Sequence, residues 1–311
     1  MKKTLLSLIL LSIGLTLPAQ IKIAKQASKK IDYHIKYDSL HNYLGDKIYQ
    51  YIGQELYVKP KVEELQRFGY EDFYNSMAKK DIYKKPTNTA WYSSYESLQG
   101  RTFKVIDILK REIVMGEDMP LILGDLDSDY IYYLKIADKQ DTIYYKYTKY
   151  EHNFPFLVIG YLDKMKNLYS NKTFLMKKTP DDSVSDFENG GTVQLTPNSK
   201  WFFKDAVLDG KYLKDILLIF TNDKGETVST EDYRIHFMFI EKTVADKIKS
   251  KYGVDMYNAA MNGKIKIGMS KELVKLAWGE PSDINRADYG EQWVYDNQYI
   301  YFKNGKVTGF N

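Results

Sequence analysis

The sequence predicts an α+β protein: two related strand-plus-helix units with small antiparallel sheets, then a C-terminal helix and a three-stranded antiparallel meander. Three observations predict it. Short apolar runs of strand type, such as 132–136 and 216–220, are each followed by a helical stripe. The middle of the chain echoes itself in order, and the segment 264–311 carries a full set of helix-cap and hairpin signals.

Taken in order, Lys2 and Lys3 precede the apolar run 5–17, which ends at Pro18, Ala19 and Gln20. This reads as a secretory signal peptide over 1–19, cleaved after Ala19, because the run is short of the ~20 residues that span a bilayer. The mature chain is therefore expected to be exported, periplasmic or at the cell surface, with no transmembrane span. No cysteine follows the run, so the protein is not expected to be a lipoprotein. Residues 20–52 form a polar lead-in and a helix capped by Asp38. Leu40, Tyr43, Leu44, Ile48, Tyr51 and Ile52 would share a face of that helix, and Gly53 would end it.

The first repeat unit is placed at 53–178 and the second at 179–253. Segment 53–60 is echoed by 191–197, 98–104 by 208–214, and 132–136 with Asp138 by 216–220 with Asp223. Each copy closes on a helix, with Leu162, Met165 and Tyr169 striping the first and Val244, Ile248 and Tyr252 the second. Burying an apolar strand face on such a stripe hides both. Between the copies, 179–186 is acidic and polar and reads as a linker, while 233–239 alternates like a strand.

In the terminal unit, 254–311, residues 254–261 make a helical link. Ser270 caps a helix bearing Leu273, Val274, Leu276 and Ala277, and Gly279 with Pro281 stops it. Trp293 and Tyr295, then Ile300 and Phe302, mark strands, and Asn304-Gly305 is a two-residue hairpin signal. Gly268, Met269, Ser270, Val274, Gly279, Pro281, Trp293, Tyr295, Phe302, Gly305 and Val307 together resemble the SmpA/OmlA (BamE-like) domain of Gram-negative envelope proteins. The resemblance implies an envelope compartment and a family that supports outer-membrane assembly. These positions are architectural, answering backbone and packing needs.

The chain has no cysteine, which excludes disulfides, thiol nucleophiles and cysteine-ligated metal. Loss of Lys2 and Lys3 takes the formal charge from +4 to +2, with lysines and acids interspersed, so nucleic acid is not expected as a partner. Twenty-eight tyrosines stand against fourteen phenylalanines. That suits half-buried strands, and alternatively an aromatic surface for sugar or peptide.

Binding residues are expected in the insertion before Leu98, at Trp91, Tyr92 and Tyr95, although Trp91 and Tyr92 would equally serve to cap the first core. Asp125, Asp127 and Asp129 have the opening spacing of a calcium loop, but Tyr130 and Ile136 stand where glycine and glutamate belong. His34 and His41 lack a third ligand, His236 reads as a strand side chain, and Ser94 has no elbow or signalled base. Asp38-Ser39-Leu40, Asp141-Thr142-Ile143 and Asp182-Ser183-Val184 match a short O-glycosylation pattern. No cofactor motif occurs. The expectation is a non-enzymatic binding or scaffolding protein of the cell envelope, with a protein or glycan partner. The alternative is a secreted or periplasmic hydrolase of glycan or peptide with its site between the repeat units.

Overall fold

Two antiparallel sheets share one strand order. The computed structural model describes residues 37–77, 81–113, 130–148, 150–209, 216–288 and 290–311. Its first sheet contains β1 (Glu55–Val58), β2 (Phe73–Tyr74), β3 (Thr102–Glu112), β4 (Tyr130–Ala137), β5 (Thr142–Tyr147) and β6 (Phe156–Val158), ordered β2-β5-β4-β3-β1-β6. Two one-turn helices, α1 (Glu63–Gln66) and α2 (Tyr95–Leu98), lie between β1 and β3, and α3 (Ile159–Tyr169) follows β6.

The second sheet begins with β7 (Thr173–Met176). After a small ribbon of β8 (Ser183–Ser185) and β9 (Thr192–Gln194) come β10 (Lys200–Leu208), β11 (Ile216–Thr221) and β12 (Thr227–Glu231). The chain then crosses through α4 (Ile235–Met238) to β13 (Phe239–Glu241) and α5 (Lys242–Tyr252), giving the order β12-β11-β10-β7-β13. Without the edge strand β2, this is the first sheet's order repeated strand for strand. Register repeats as well. Leu56 sits between Phe103 and Val158 as Phe174 sits between Trp201 and Glu241. Each second strand also bulges at one place, beside Asp107 and beside Asp205, and each aspartate accepts the next residue's N–H at 2.8 Å.

Of the three sequence echoes, 132–136 with 216–220 is the structural one, since β4 and β11 are equivalent strands. Segment 191–197 is not the counterpart of 53–60, since β7 occupies that place and β10 takes the place of β3; residues 210–214 of the remaining echo lie outside the described residues. The expected unit boundary at 178/179 falls too late, because β7 already belongs to the second sheet. Its Phe174 and Met176 enter the core shared with the first sheet, while Leu175 turns to the other face.

The lead-in helix is not formed over Asp38 to Leu44. Instead the Asn42 amide donates to the Phe156 carbonyl at 2.8 Å and accepts from the Val158 N–H at 2.8 Å, extending the β6 edge. Only Gly45–Tyr51 turns, as a 3-10 helix. Segment 233–239 is mostly helical, with Ile235 and Met238 packed on the core, so His236 is a helix residue. The expected linker is tied down, with Thr179 and Asp186 buried.

The terminal unit places α6 (Val254–Met261) and α7 (Lys271–Trp278) before a meander of β14 (Asp283–Ala287), β15 (Gly290–Tyr295), β16 (Gln298–Lys303) and β17 (Lys306–Phe310). It has four strands rather than three. β14 is an almost wholly exposed edge strand, so it lacks the alternation that marks the others. Ser270 accepts the Leu273 N–H at 3.3 Å, and Asn304 and Gly305 both take positive φ in the β16–β17 turn. Trp293, Ile300, Phe302 and Val307 pack with α7 and with Ile248 of α5 in a second core.

Candidate functional site

The expected contact loop is anchored at one end and exposed at the other. Arg101 donates to Asp138 at 2.6 and 2.9 Å and to Asp141 at 3.0 Å, while the Tyr83 hydroxyl donates to Asp141 at 2.7 Å. Gly69, at φ +48°, lets the backbone touch the Tyr70–Ser93 bridge, where a Cβ would lie 2.0 Å from the Ser93 carbonyl oxygen. Tyr95 stacks on buried Tyr70 at 5.8 Å and packs on the core. Tyr92 is half-buried. Trp91 is 60% exposed, in edge contact with Tyr92 at 5.8 Å, so it does not cap the core. The structure thus separates the three: Tyr95 supports the fold and Trp91 faces solvent.

A larger concavity opens where the second sheet meets the terminal unit. Of about 710 Å³, it is lined by β12 from Ser229 to Glu231, by Phe237 and Met238 of α4, by Val184 and Leu195, and by Ala277, Trp278 and Gly279 at the end of α7. Gly279 ends α7 at φ +83°, a conformation that favours glycine, and lies against Phe237 of α4. Lys177 also lines this cleft, at 7% exposure. Its ammonium donates to the His236 carbonyl at 3.0 Å, and burial pushes its pKa down to about 8. Among the described residues no carboxylate lies within ion-pair distance of it. Sequence reading missed this site, because Lys177-Lys178-Thr179 reads as surface, whereas α4, from elsewhere in the chain, bonds both the backbone and the ammonium of Lys177.

A cleft of about 660 Å³ lies between the repeat units, lined by His41, Glu151, His152, Tyr161 and Asp232. Tyr161 donates its hydroxyl to Asp232. His152 also borders a smaller cavity of about 290 Å³ with Lys61, Glu71 and Asp72. Burial, followed by the charge of Asp72, raises the Glu71 carboxyl above its usual range. Burial likewise raises that of Asp72 against the opposing pull of Lys146 and Tyr74.

Among the described residues no group of three or more His, Asp or Glu side chains is placed to hold a metal, and the candidates Asp125, Asp127 and Asp129 lie outside them. Among the described residues, too, no helix is long and apolar enough to cross a membrane. Thr142 and Ser183 of the glycosylation-like triplets are exposed strand residues, whereas Ser39 is half-buried and accepts the His41 N–H. Compared with protein-family models, curated proteins and solved structures, the chain matches none.

Proposed function

We propose that this chain is an exported, non-enzymatic binding or scaffolding protein of the bacterial cell envelope. Its protein or glycan partner engages the cleft between the second sheet and the terminal unit. One observation carries the reading: the largest of the concavities described sets an apolar wall of Val184, Leu195, Phe237, Met238 and Trp278 beside polar and charged side chains, and holds a buried lysine with no carboxylate at ion-pair distance among the described residues, a mixture that suits a ligand site. The compartment rests on the basic and apolar N-terminal pattern and on the SmpA/OmlA resemblance. In support of the latter, Ser270, Gly279 and the Asn304-Gly305 turn act as caps and turns, and Met269, Val274, Trp293, Phe302 and Val307 are buried.

The test is capture from envelope fractions with wild-type protein and with Ser185→Trp, which fills the cleft from exposed β8. A partner identified by mass spectrometry should be lost with the filled variant at unchanged melting temperature. An identical set of captured proteins and glycans from both would refute the reading.

A second reading is favoured by the two histidines and two acids in the cleft between the repeats, next to the raised carboxyls of Glu71 and Asp72. It is hydrolysis of glycan or peptide. Turnover of a peptide or polysaccharide panel that disappears in both His152→Ala and Asp232→Asn would replace the binding reading. Absence of turnover by the wild type removes the hydrolase.

A further inference from the structure

The Lys177 cleft joins three features that one ligand class would satisfy together. The first is the cation. An ammonium carries three N–H donors, and the Lys177 group spends one on the His236 carbonyl, with no other acceptor among the described residues. Of the other charged residues that line the cleft, Lys178 pairs with Asp182 and Arg234 with Glu231 at 3.7 Å, and Asp181 is solvent-exposed. A buried cation without an acid is costly, so an anion brought by a ligand is strongly favoured there. The second feature is the apolar wall of Phe237, Met238 and Trp278.

The third is a sheet edge. β12 is an outermost strand, and Thr227 turns its backbone outward: its N–H donates to Asp186 at 2.7 Å and its C=O accepts from Phe187 at 3.1 Å. Strand alternation turns Ser229 the same way, and among the described residues no backbone group pairs with it on that side. An open edge of this kind accepts an extended backbone.

Resting on the binding reading above, we infer that the cleft takes the free C-terminal end of an extended peptide. The peptide backbone pairs with β12 at Ser229, its terminal carboxylate meets the Lys177 ammonium, and its last apolar side chain lies against Phe237 and Trp278. A fatty acid would supply the carboxylate and the apolar group but no backbone to pair.

The experiment uses the full mature chain and a hexapeptide library with free C-termini, the same library amidated, and decanoate. Free-acid peptides with an apolar last residue should bind about tenfold or more tightly than their amides, a contrast that needs no protein variant. Lys177→Met should abolish that preference while keeping the melting temperature, since methionine fills similar space without a charge to bury. Ser229→Pro, which deletes the edge N–H, should weaken peptides and leave any decanoate binding unchanged. Equal binding of acids and amides, full affinity in Lys177→Met, or binding of decanoate with no peptide would overturn the inference. If Ser185→Trp still abolishes envelope capture while no free-acid peptide binds, this assignment fails and the binding reading stands. If capture ignores Ser185→Trp, the reading itself fails.

Discussion

The two sheet units use one frame and finish it with different chemistry. In the second unit the frame is sealed by bare rings: Phe220 lies 4.4 Å from Phe239 and 5.2 Å from Phe174, with Trp201 beside them. In the first, rings of the same core carry hydroxyls. Tyr145 donates to the Asn153 carbonyl, Tyr147 to Gly45, Tyr43 to Thr148 and Tyr51 to Asn42. Each acceptor lies outside the strands, in a loop or a short 3-10 turn. The first unit is wrapped by long stretches of non-strand chain, and part-buried carbonyls there take donors that a phenylalanine cannot give. Much of the excess of tyrosine over phenylalanine is thus explained by unit one and by its loops.

The units also anchor their insertions at the same place with opposite chemistry. Both insertions dock on the end of the hairpin that follows the bulged strand. In the first unit Arg101, which follows the insertion directly before β3, supplies a cation to Asp138 and Asp141, and Tyr83 of the insertion donates to Asp141. In the second the insertion supplies an anion, Asp186, to the Thr227 hydroxyl and N–H. A duplicated frame constrains where an insertion can be held, and leaves free which side of the contact carries the charge.

The largest test of this comparison is to empty equivalent core positions. Phe103→Ala and Trp201→Ala, fully buried on β3 and β10, should each cost about 3–5 kcal/mol in denaturant unfolding. A loss under about 1 kcal/mol for either would mean that the shared frame is not a shared core. Trp293→Ala should cost a similar ~3–5 kcal/mol through the separate terminal core.

Next come the two anchors. Arg101→Met strands two part-buried carboxylates and should cost about 2 kcal/mol. Acid should release both anchors. The Thr227 hydroxyl and N–H hold the Asp186 carboxyl down at about 2. At Asp138 burial works the other way but is outweighed by the N–H groups of Asp141 and Gln140 and by Arg101. At Asp141 the Tyr83 hydroxyl leads, joined by Arg101. A carboxyl depressed in the fold stabilises fully above its unfolded value near ~3.9 and loses that contribution as pH falls through its folded value. The melting-temperature gap between wild type and Asp186→Asn should therefore be constant above pH ~5 and close as pH approaches about 2. A gap that widens on acidification would show that Asp186 is not the anchoring group.

How far sequence could reach follows the range of the forces involved. The helices α3, α5 and α7, the strand character of the equivalent β4 and β11 and the Asn304-Gly305 turn are set by neighbours in the chain, and they were legible. The extended run before Gly45 was not, because the Asn42 amide finds its partners on β6, far along the chain. α4 was read as strand because four residues are too few to separate alternation from a helical turn: Ile235 and Met238 are three apart, and only the packing chooses. Of the candidate contacts, Trp91 could be guessed exposed from its polar loop. Lys177 could not, since the helix that holds it, α4, lies far along the chain.

The smallest test is the sharpest for equivalence. Asp107 and Asp205 make the same bond at equivalent bulges, but among the described residues only Asp205 also meets a lysine of the interposed helix, Lys166 at 2.7 Å. Both partners of that pair are about half exposed, so it should add only ~0.2–1 kcal/mol. Asp107→Ala then reports the bulge bond alone, and Asp205→Ala reports the bond plus the pair. Asp205→Ala should cost more, and the difference should shrink in 1 M salt, where screening acts within about 3 Å. If Asp107→Ala costs as much at low salt, α3 contributes nothing through Asp205, and its role between the sheets rests on its apolar stripe of Tyr161, Leu162, Met165 and Tyr169.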